Sequence, residues 1–86
     1  MSRIKTEELL DRIARGEKQT VKLKGLQHGS FCMLLECADG IFIHENPDGT
    51  VKEYPKVEFA LSWLKRKTDL RVVTMDIELW KQDAER

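Results

Sequence analysis

Four side chains of the types that bind zinc lie within a short part of the sequence: His28, Cys32, Cys37 and His44. Structural zinc ligands usually come as close pairs of cysteine or histidine on a turn, and these four are not spaced in that way. Both cysteines fall in one predicted strand, where their odd separation points the two thiols to opposite faces. The spacing therefore does not indicate a zinc site, and we expect no metal and no cofactor.

The same geometry argues against a disulfide. In an extended strand, Cys32 and Cys37 would lie roughly 16 Å apart, which is beyond disulfide reach. Two free thiols and a charged N-terminus, unlike a secretory signal, predict a reducing cytoplasmic compartment. No apolar run approaches the ~18 residues of a membrane-spanning helix, so we expect no membrane partner.

Nucleophilic catalysis would need a thiol or hydroxyl beside a base. Cys32 and His44 are predicted on the same face of neighbouring strands, but they are displaced along those strands, and no third group orients the imidazole. The acidic side chains in the strands are scattered, as ordinary surface charges are: Glu36, Glu45, Glu53 and Asp76. We therefore expect that the chain is not an enzyme.

The net charge is zero, but the charges are unevenly distributed. Residues 1–24 and 56–71 each carry a net charge of +3, whereas residues 25–55 carry −4 and residues 72–86 carry −2. Both basic segments are predicted to be largely helical, so two basic helices could give one face of the molecule a positive potential. The alternative is that these cations lie on ordinary solvated helix faces.

A weak nucleic-acid-binding function is one interpretation of this charge distribution. The basic residues predicted to contact phosphates are Lys65, Arg66, Lys67 and Arg71. The helix–strands–helix order resembles that of the double-stranded-RNA-binding domain. However, the basic glycine–lysine run that opens the second helix of that family is missing at residues 54–58. Overall neutrality also argues against strong phosphate affinity.

The elements that would position these side chains follow from hydrophobic periodicity. Apolar stripes predict a first helix over residues 6–15 and a second, beginning at Pro55, with Val57, Ala60, Leu61 and Leu64 on its buried face. Alternating or apolar runs predict five strands. These strands cover residues 20–24, 31–37, 41–45, the segment ending at Tyr54, and 70–77.

The register of the first hairpin follows from its loop. A three-residue loop of Ala38, Asp39 and Gly40 would pair Cys37 with Ile41. One face would then be uninterrupted and apolar, comprising Phe31, Met33, Leu35, Cys37, Ile41 and Ile43. We predict that this face is the core side of the sheet.

A second hairpin is predicted at Asn46-Pro47-Asp48-Gly49, since proline and glycine there suit a type I turn with a glycine bulge. It would pair Phe42 with Tyr54 and His44 with Lys52, on the face away from the core. That face is our candidate surface for a protein partner, and it comprises Cys32, Leu34, Phe42, His44, Lys52 and Tyr54. Alternatively, the Phe42–Tyr54 pair merely stabilises the hairpin.

Together these elements predict a two-layer α+β domain over residues 1–80 with a polar tail, 81–86. Two helices would cover one face of a four-stranded antiparallel meander. The fifth strand would lie parallel to a neighbour or join an edge. The expected function is a non-catalytic interaction module whose partner is another protein or a second copy of the chain.

One further segment resembles a known family. Tyr54 ends a hairpin, Trp63-Leu64 lies near the end of a helix, and Met75-Asp76 ends a strand. In this order the C-terminal half is similar to the small ParC-like partition-associated proteins of plasmids and integrative conjugative elements. Lys56 stands where that family tends to have a Ser or Thr cap. The resemblance implies an accessory protein of a mobile genetic element, not an enzyme, and it transfers no functional residues.

Overall fold

The computed structural model describes residues 1–81. Of the predicted tail, 81–86, all residues after Lys81 lie outside the described residues. In the described part of the chain, two helices and six strands form an α+β fold. In chain order they are β1 (Ser2–Ile4), α1 (Thr6–Ala14), β2 (Gln19–Gly25), β3 (Phe31–Cys37), β4 (Gly40–His44), β5 (Glu53–Tyr54), α2 (Val57–Lys67) and β6 (Thr74–Asp76). The predicted order is confirmed, with the addition of the N-terminal strand β1. Within residues 1–81, neither helix has the length and apolar character needed to cross a membrane.

The sheet is mixed. A last strand that is parallel to its neighbour and lies at an edge agrees with the prediction, whereas the parallel strand β1 and the pairing of β5 with β3 instead of β4 depart from the predicted meander. The strands of the sheet lie in the order β1-β4-β3-β2-β6, and β5 pairs with β3 beside β4. The two outer pairs, β1 with β4 and β2 with β6, are parallel. The long connection through α2 carries the chain across the sheet, so the last strand joins an edge as a parallel neighbour of β2.

The first hairpin has a tighter loop than predicted. Cys37 pairs with Gly40 rather than Ile41, and Phe42 lies opposite Leu35. The loop therefore contains only Ala38 and Asp39, and Gly40 adopts a φ of +144° that favours glycine.

This one-residue shift reverses the faces of β4. Phe42 and His44 point toward the helices, whereas Ile41 and Ile43 point away. Apolar alternation could not decide the register because β3 is buried on both faces. Contacts with α1 support the observed register, since the guanidinium of Arg12 lies 4.5 Å above the Phe42 ring.

The predicted turn at residues 46–49 is present. The Gly49 amide donates to the Asn46 carbonyl over 2.9 Å, and Gly49 has a φ of +91°. A single bridge joins Glu45 to Val51. Beyond it the chain leaves β4, and Tyr54 pairs with Phe31 of β3 instead of Phe42. The turn thus interrupts one side of the sheet, and β5 continues the line of β4 along β3.

Both helices cover the same face of the sheet, as predicted for a two-layer fold. Leu9 of α1 and Leu64 of α2 belong to one buried cluster. The strands and the two helices contribute the other members of this cluster: Ile4, Ile13, Val21, Leu23, Phe31, Met33, Leu35, Tyr54 and Ala60. One shared core therefore fixes the positions of both helices and of the strands beneath them.

Candidate interaction surface

His44 lies in the core, not on the exposed sheet face where the sequence predicted it. Its residue exposure is 1%, its Nε2 lies 2.8 Å from Thr6 Oγ1, and its ring is 5.4 Å from that of Trp63. Within residues 1–81 the Nδ1 atom has no hydrogen-bond partner. Burial lowers the pKa of His44 to about 4, with a further lowering from Lys52, so the imidazole is neutral at pH 7.

The two cysteines are free thiols on opposite faces of β3, in agreement with the predicted absence of a disulfide between them. Cys32 is buried on the face away from the helices, and burial raises the pKa of its thiol. His44 and Cys32 are therefore separated by the sheet. Among residues 1–81, no group of histidine, cysteine and carboxylate side chains is arranged to hold a metal ion.

Sequence reasoning missed a small polar cluster formed by His28, Ser30 and Glu53. His28 Nε2 lies 2.8 Å from Glu53 Oε1 and 2.8 Å from Ser30 Oγ, and the serine hydroxyl donates to the same carboxylate oxygen over 2.8 Å. These hydrogen bonds lower the pKa of Glu53.

The geometry of this cluster is not that of a catalytic triad. A triad histidine uses one ring nitrogen for the nucleophile and the other for the acid. Here one nitrogen of His28 serves both Ser30 and Glu53. The cluster instead ties the loop before β3 to β5.

The six residues predicted to form a partner surface do not share one face. Phe42, His44 and Tyr54 lie on the helix side, and Tyr54 is part of the core. Cys32 and Leu34 lie on the opposite side, and both are buried. The sixth residue, Lys52, lies 5.5 Å above the Tyr54 ring. The shifted hairpin register and the separation of β5 from β4 account for this correction.

The four candidate phosphate contacts fall in two adjoining grooves. Lys65, Arg66 and Lys67 form the last turn of α2 and line a groove against the C-terminal part of α1. Arg71 lines a second groove between α2 and β6, which Lys65 also borders. All four are exposed, and none forms an ion pair with another of residues 1–81.

The second groove has an apolar lining: Leu61, Leu64, Leu70, Val73 and Met75. Further exposed apolar side chains lie in the same part of the sequence. Of the eight large hydrophobic residues that are exposed among residues 1–81, six lie between residues 59 and 79: Phe59, Leu61, Val72, Met75, Ile77 and Leu79. The most exposed is Val72, at 78%. We call Leu61, Leu70, Val72, Val73, Met75 and Ile77 the β6 edge patch.

The position of the patch is set by pairing on one side of β6 and by an anchor beyond it. Leu23 of β2 lies opposite Met75, which aligns β6 along the sheet. After β6, Trp80 donates its Nε1 hydrogen to the Gly29 carbonyl over 2.9 Å and stacks on Phe31 at 5.8 Å. Gly25 leaves the space that the Trp80 side chain fills.

The outer side of β6 is an open sheet edge. β6 is the last strand in the sheet order, and among residues 1–81 no strand pairs with its outer side. Val73 and Met75 lie on the helix side of this strand, since both line the groove beside α2. The sequence pattern left open whether the last strand would join an edge of the sheet, where helix cover is incomplete.

Comparisons of the chain with protein-family models, with curated proteins and with solved structures find no match.

Proposed function

We propose that the chain is a non-catalytic interaction module that binds a protein partner through the β6 edge patch. The observation that carries this proposal is the concentration of exposed large apolar side chains on and beside an open sheet edge. A concentration of exposed apolar side chains is costly to leave in water, and such surfaces mark contact sites in monomeric proteins.

The surroundings of the patch suggest the chemistry of the partner. Lys65 and Arg71 border its groove and form no ion pair among residues 1–81. An open edge offers backbone hydrogen bonds to an added strand, and the apolar groove offers sites for its alternate side chains. The partner that fits is an extended protein segment with apolar side chains and acidic residues beside them.

Two earlier expectations remain part of the proposal. The free cysteines fit the reducing cytoplasmic compartment that the sequence predicts. Origin on a plasmid, phage or genomic island rests on the resemblance of the C-terminal half to partition-associated proteins. Neither expectation names the partner.

The test of the proposal compares two substitutions of similar chemistry at different places. Leu61→Lys puts a charge in the β6 edge patch at a residue that is 39% exposed. The control, Ile41→Lys, puts the same charge outside the patch, on β4, at a residue that is 44% exposed. Each immobilised protein is incubated with isotope-labelled extract of the host, and bound proteins are quantified. We expect one partner to be retained by wild type and Ile41→Lys but lost with Leu61→Lys.

Equal recovery by both variants, with their folds intact by circular dichroism, would refute this site. The unaltered chain provides the reference for each comparison. The lysine introduced at either place has the same charge, so a loss confined to Leu61→Lys reflects position and not charge alone.

Nucleic-acid binding is the second candidate function, favoured by the exposed cations at the end of α2. Lys65, Arg66 and Lys67 carry three positive charges in one helical turn. Such binding would weaken steeply with salt, because phosphate contacts release counterions. Fluorescence anisotropy with single- and double-stranded oligonucleotides at low salt tests it, and replacing the three residues with alanine should abolish any binding observed. No anisotropy change at low salt would exclude this function.

A further inference from the structure

The chain that leads into β6, from Val72 to Met75, lacks the charged residues and proline that often prevent strands from adding to a sheet. Natural edge strands are commonly protected by lysine, proline or a bulge. Between Arg71 and Asp76 the sequence is Val72-Val73-Thr74-Met75, which contains no charge and no proline. β6 itself covers Thr74–Asp76, in which Thr74 and Met75 are exposed and Asp76 is partly buried. An unprotected edge of this kind is suited to pairing with another strand.

The charges that flank this stretch have opposite signs. Arg71 precedes it, and Asp76 and Glu78 follow it. If two copies of the stretch lie antiparallel, the basic end of each is beside the acidic end of the other. A parallel arrangement would instead bring like charges together. The stretch is therefore complementary in charge to an antiparallel copy of itself.

The apolar side chains are self-complementary in the same arrangement. Antiparallel pairing centred on Thr74 would place Val73 of one copy opposite Met75 of the second copy. Val73 and Met75 both line the groove beside α2, so the pair would extend that apolar surface across the junction. The two-fold axis makes each contact occur twice, as in an isologous dimer interface.

We propose that the protein partner of the β6 edge patch is a second copy of this chain, joined by antiparallel β6–β6 pairing into one continuous sheet. This inference rests on the proposed function, because it names the partner of the same surface. A segment of another protein with similar chemistry is the competing occupant.

Substitutions at Thr74 test the two-fold axis directly. Thr74→Glu places two carboxylates opposite each other in the dimer, and like charges in that position repel. Within one chain, Thr74 lies opposite Lys22, so the new carboxylate should not disturb the fold. Thr74→Gln is the matched neutral control of the same size.

Sedimentation equilibrium measures the outcome. The wild type and Thr74→Gln should increase in mass from 10.0 kDa toward twice that value as concentration rises. Dimerisation of Thr74→Glu should be at least about tenfold weaker. A wild type that stays monomeric up to about 1 mM has a dissociation constant above that concentration and overturns the dimer. Equal dimerisation of the two variants overturns its location.

Charged residues at Val72 test the antiparallel direction. In a pairing centred on Thr74, residue 72 of one copy lies opposite Asp76 of the second copy. Val72→Glu should therefore weaken the dimer through like-charge repulsion, whereas Val72→Lys should not. Equal dimerisation of the two variants would overturn the antiparallel arrangement.

Failure of the dimer and failure of the proposed function give different results. A monomeric wild type whose captured partner is lost with Leu61→Lys overturns the second copy as occupant and retains the surface. A stable dimer that dissociates neither with Leu61→Lys nor with Thr74→Glu overturns the surface itself.

Discussion

The buried imidazole of His44 predicts a measurable loss of stability in mild acid. The folded protein holds this group neutral, with a pKa of about 4 against an ordinary value of 6.5. The unfolded chain, however, takes up the proton as pH falls through 6.5. Protonation therefore favours the unfolded state. The stabilising contribution is fully present above pH 6.5, is lost progressively between 6.5 and 4, and reaches its minimum below pH 4.

The magnitude follows from the size of the pKa difference. Each unit of difference corresponds to about 1.4 kcal/mol, so His44 should account for about 3 kcal/mol between pH 7.5 and pH 4. This is a large part of the ~5–15 kcal/mol that stabilises a typical domain.

Urea unfolding at several pH values tests the His44 prediction. Trp63 contacts the imidazole, so its fluorescence reports on the relevant part of the core. His44→Gln removes the titrating group and retains a polar atom to face Thr6. The difference in unfolding free energy between wild type and His44→Gln should therefore shrink by about 3 kcal/mol from pH 7.5 to 4.

A surface histidine provides the control for this experiment. His28 is exposed and contacts Glu53, so His28→Gln should keep the pH-dependent loss that His44 causes. Carboxylates whose pKa is lowered in the fold, such as Asp39 and Asp48, add their own loss at lower pH. Their contribution is the same in wild type and His44→Gln. A parallel pH dependence of these two proteins would refute a buried, neutral His44.

Two further predictions concern packing around Phe31, the first residue of β3. Gly25→Ala would place a Cβ atom 2.5 Å from the Cβ of Trp80, so we expect destabilisation of about 1–3 kcal/mol with a change in tryptophan fluorescence; unchanged urea unfolding would contradict the Trp80 anchor. The Tyr54 hydroxyl is buried without a hydrogen-bond partner among residues 1–81, and Tyr54→Phe should therefore leave stability unchanged or raise it by up to about 1 kcal/mol. Destabilisation of Tyr54→Phe by more than about 1 kcal/mol in urea would show that the hydroxyl is hydrogen-bonded.

Much of the fold follows from local patterns in the sequence. The apolar stripe of α1 and the Asn46–Gly49 turn were predictable because periodicity and turn chemistry are properties of neighbouring residues. β1 was not predicted, since three residues at the N-terminus form a strand only by pairing with β4 far along the chain. The pairing of β5 with β3 likewise depends on a strand that is distant in the sequence.

The exposed faces were harder to predict than the elements themselves. Both registers of the β3–β4 hairpin place apolar residues on each face, because β3 is buried on both sides. The choice depends on tertiary contacts, notably those of Arg12 with Phe42 and of Thr6 with His44. A shift of one residue then moved His44 from the predicted surface into the core.

The β6 edge patch could not be located by periodicity alone. Val73 and Met75 alternate with Thr74 and Asp76, as core-facing residues alternate with polar ones. Whether such residues become buried depends on the place of the strand in the sheet and on how far the helices extend over it. Here the last strand lies at an edge, and Met75 is 46% exposed.

Site-specific photo-crosslinking tests most directly whether the β6 edge patch binds protein. A benzophenone side chain is introduced at Val72 in the patch or, as a control, at Thr20, which is exposed on β2, and the protein is irradiated in living cells. We expect covalent protein adducts from position 72 and few from position 20. Adducts with the chain itself would also support the dimer, whereas adducts with another protein would support the surface alone. Absence of adducts at position 72, or equal yields at both positions, would contradict the proposed interaction surface.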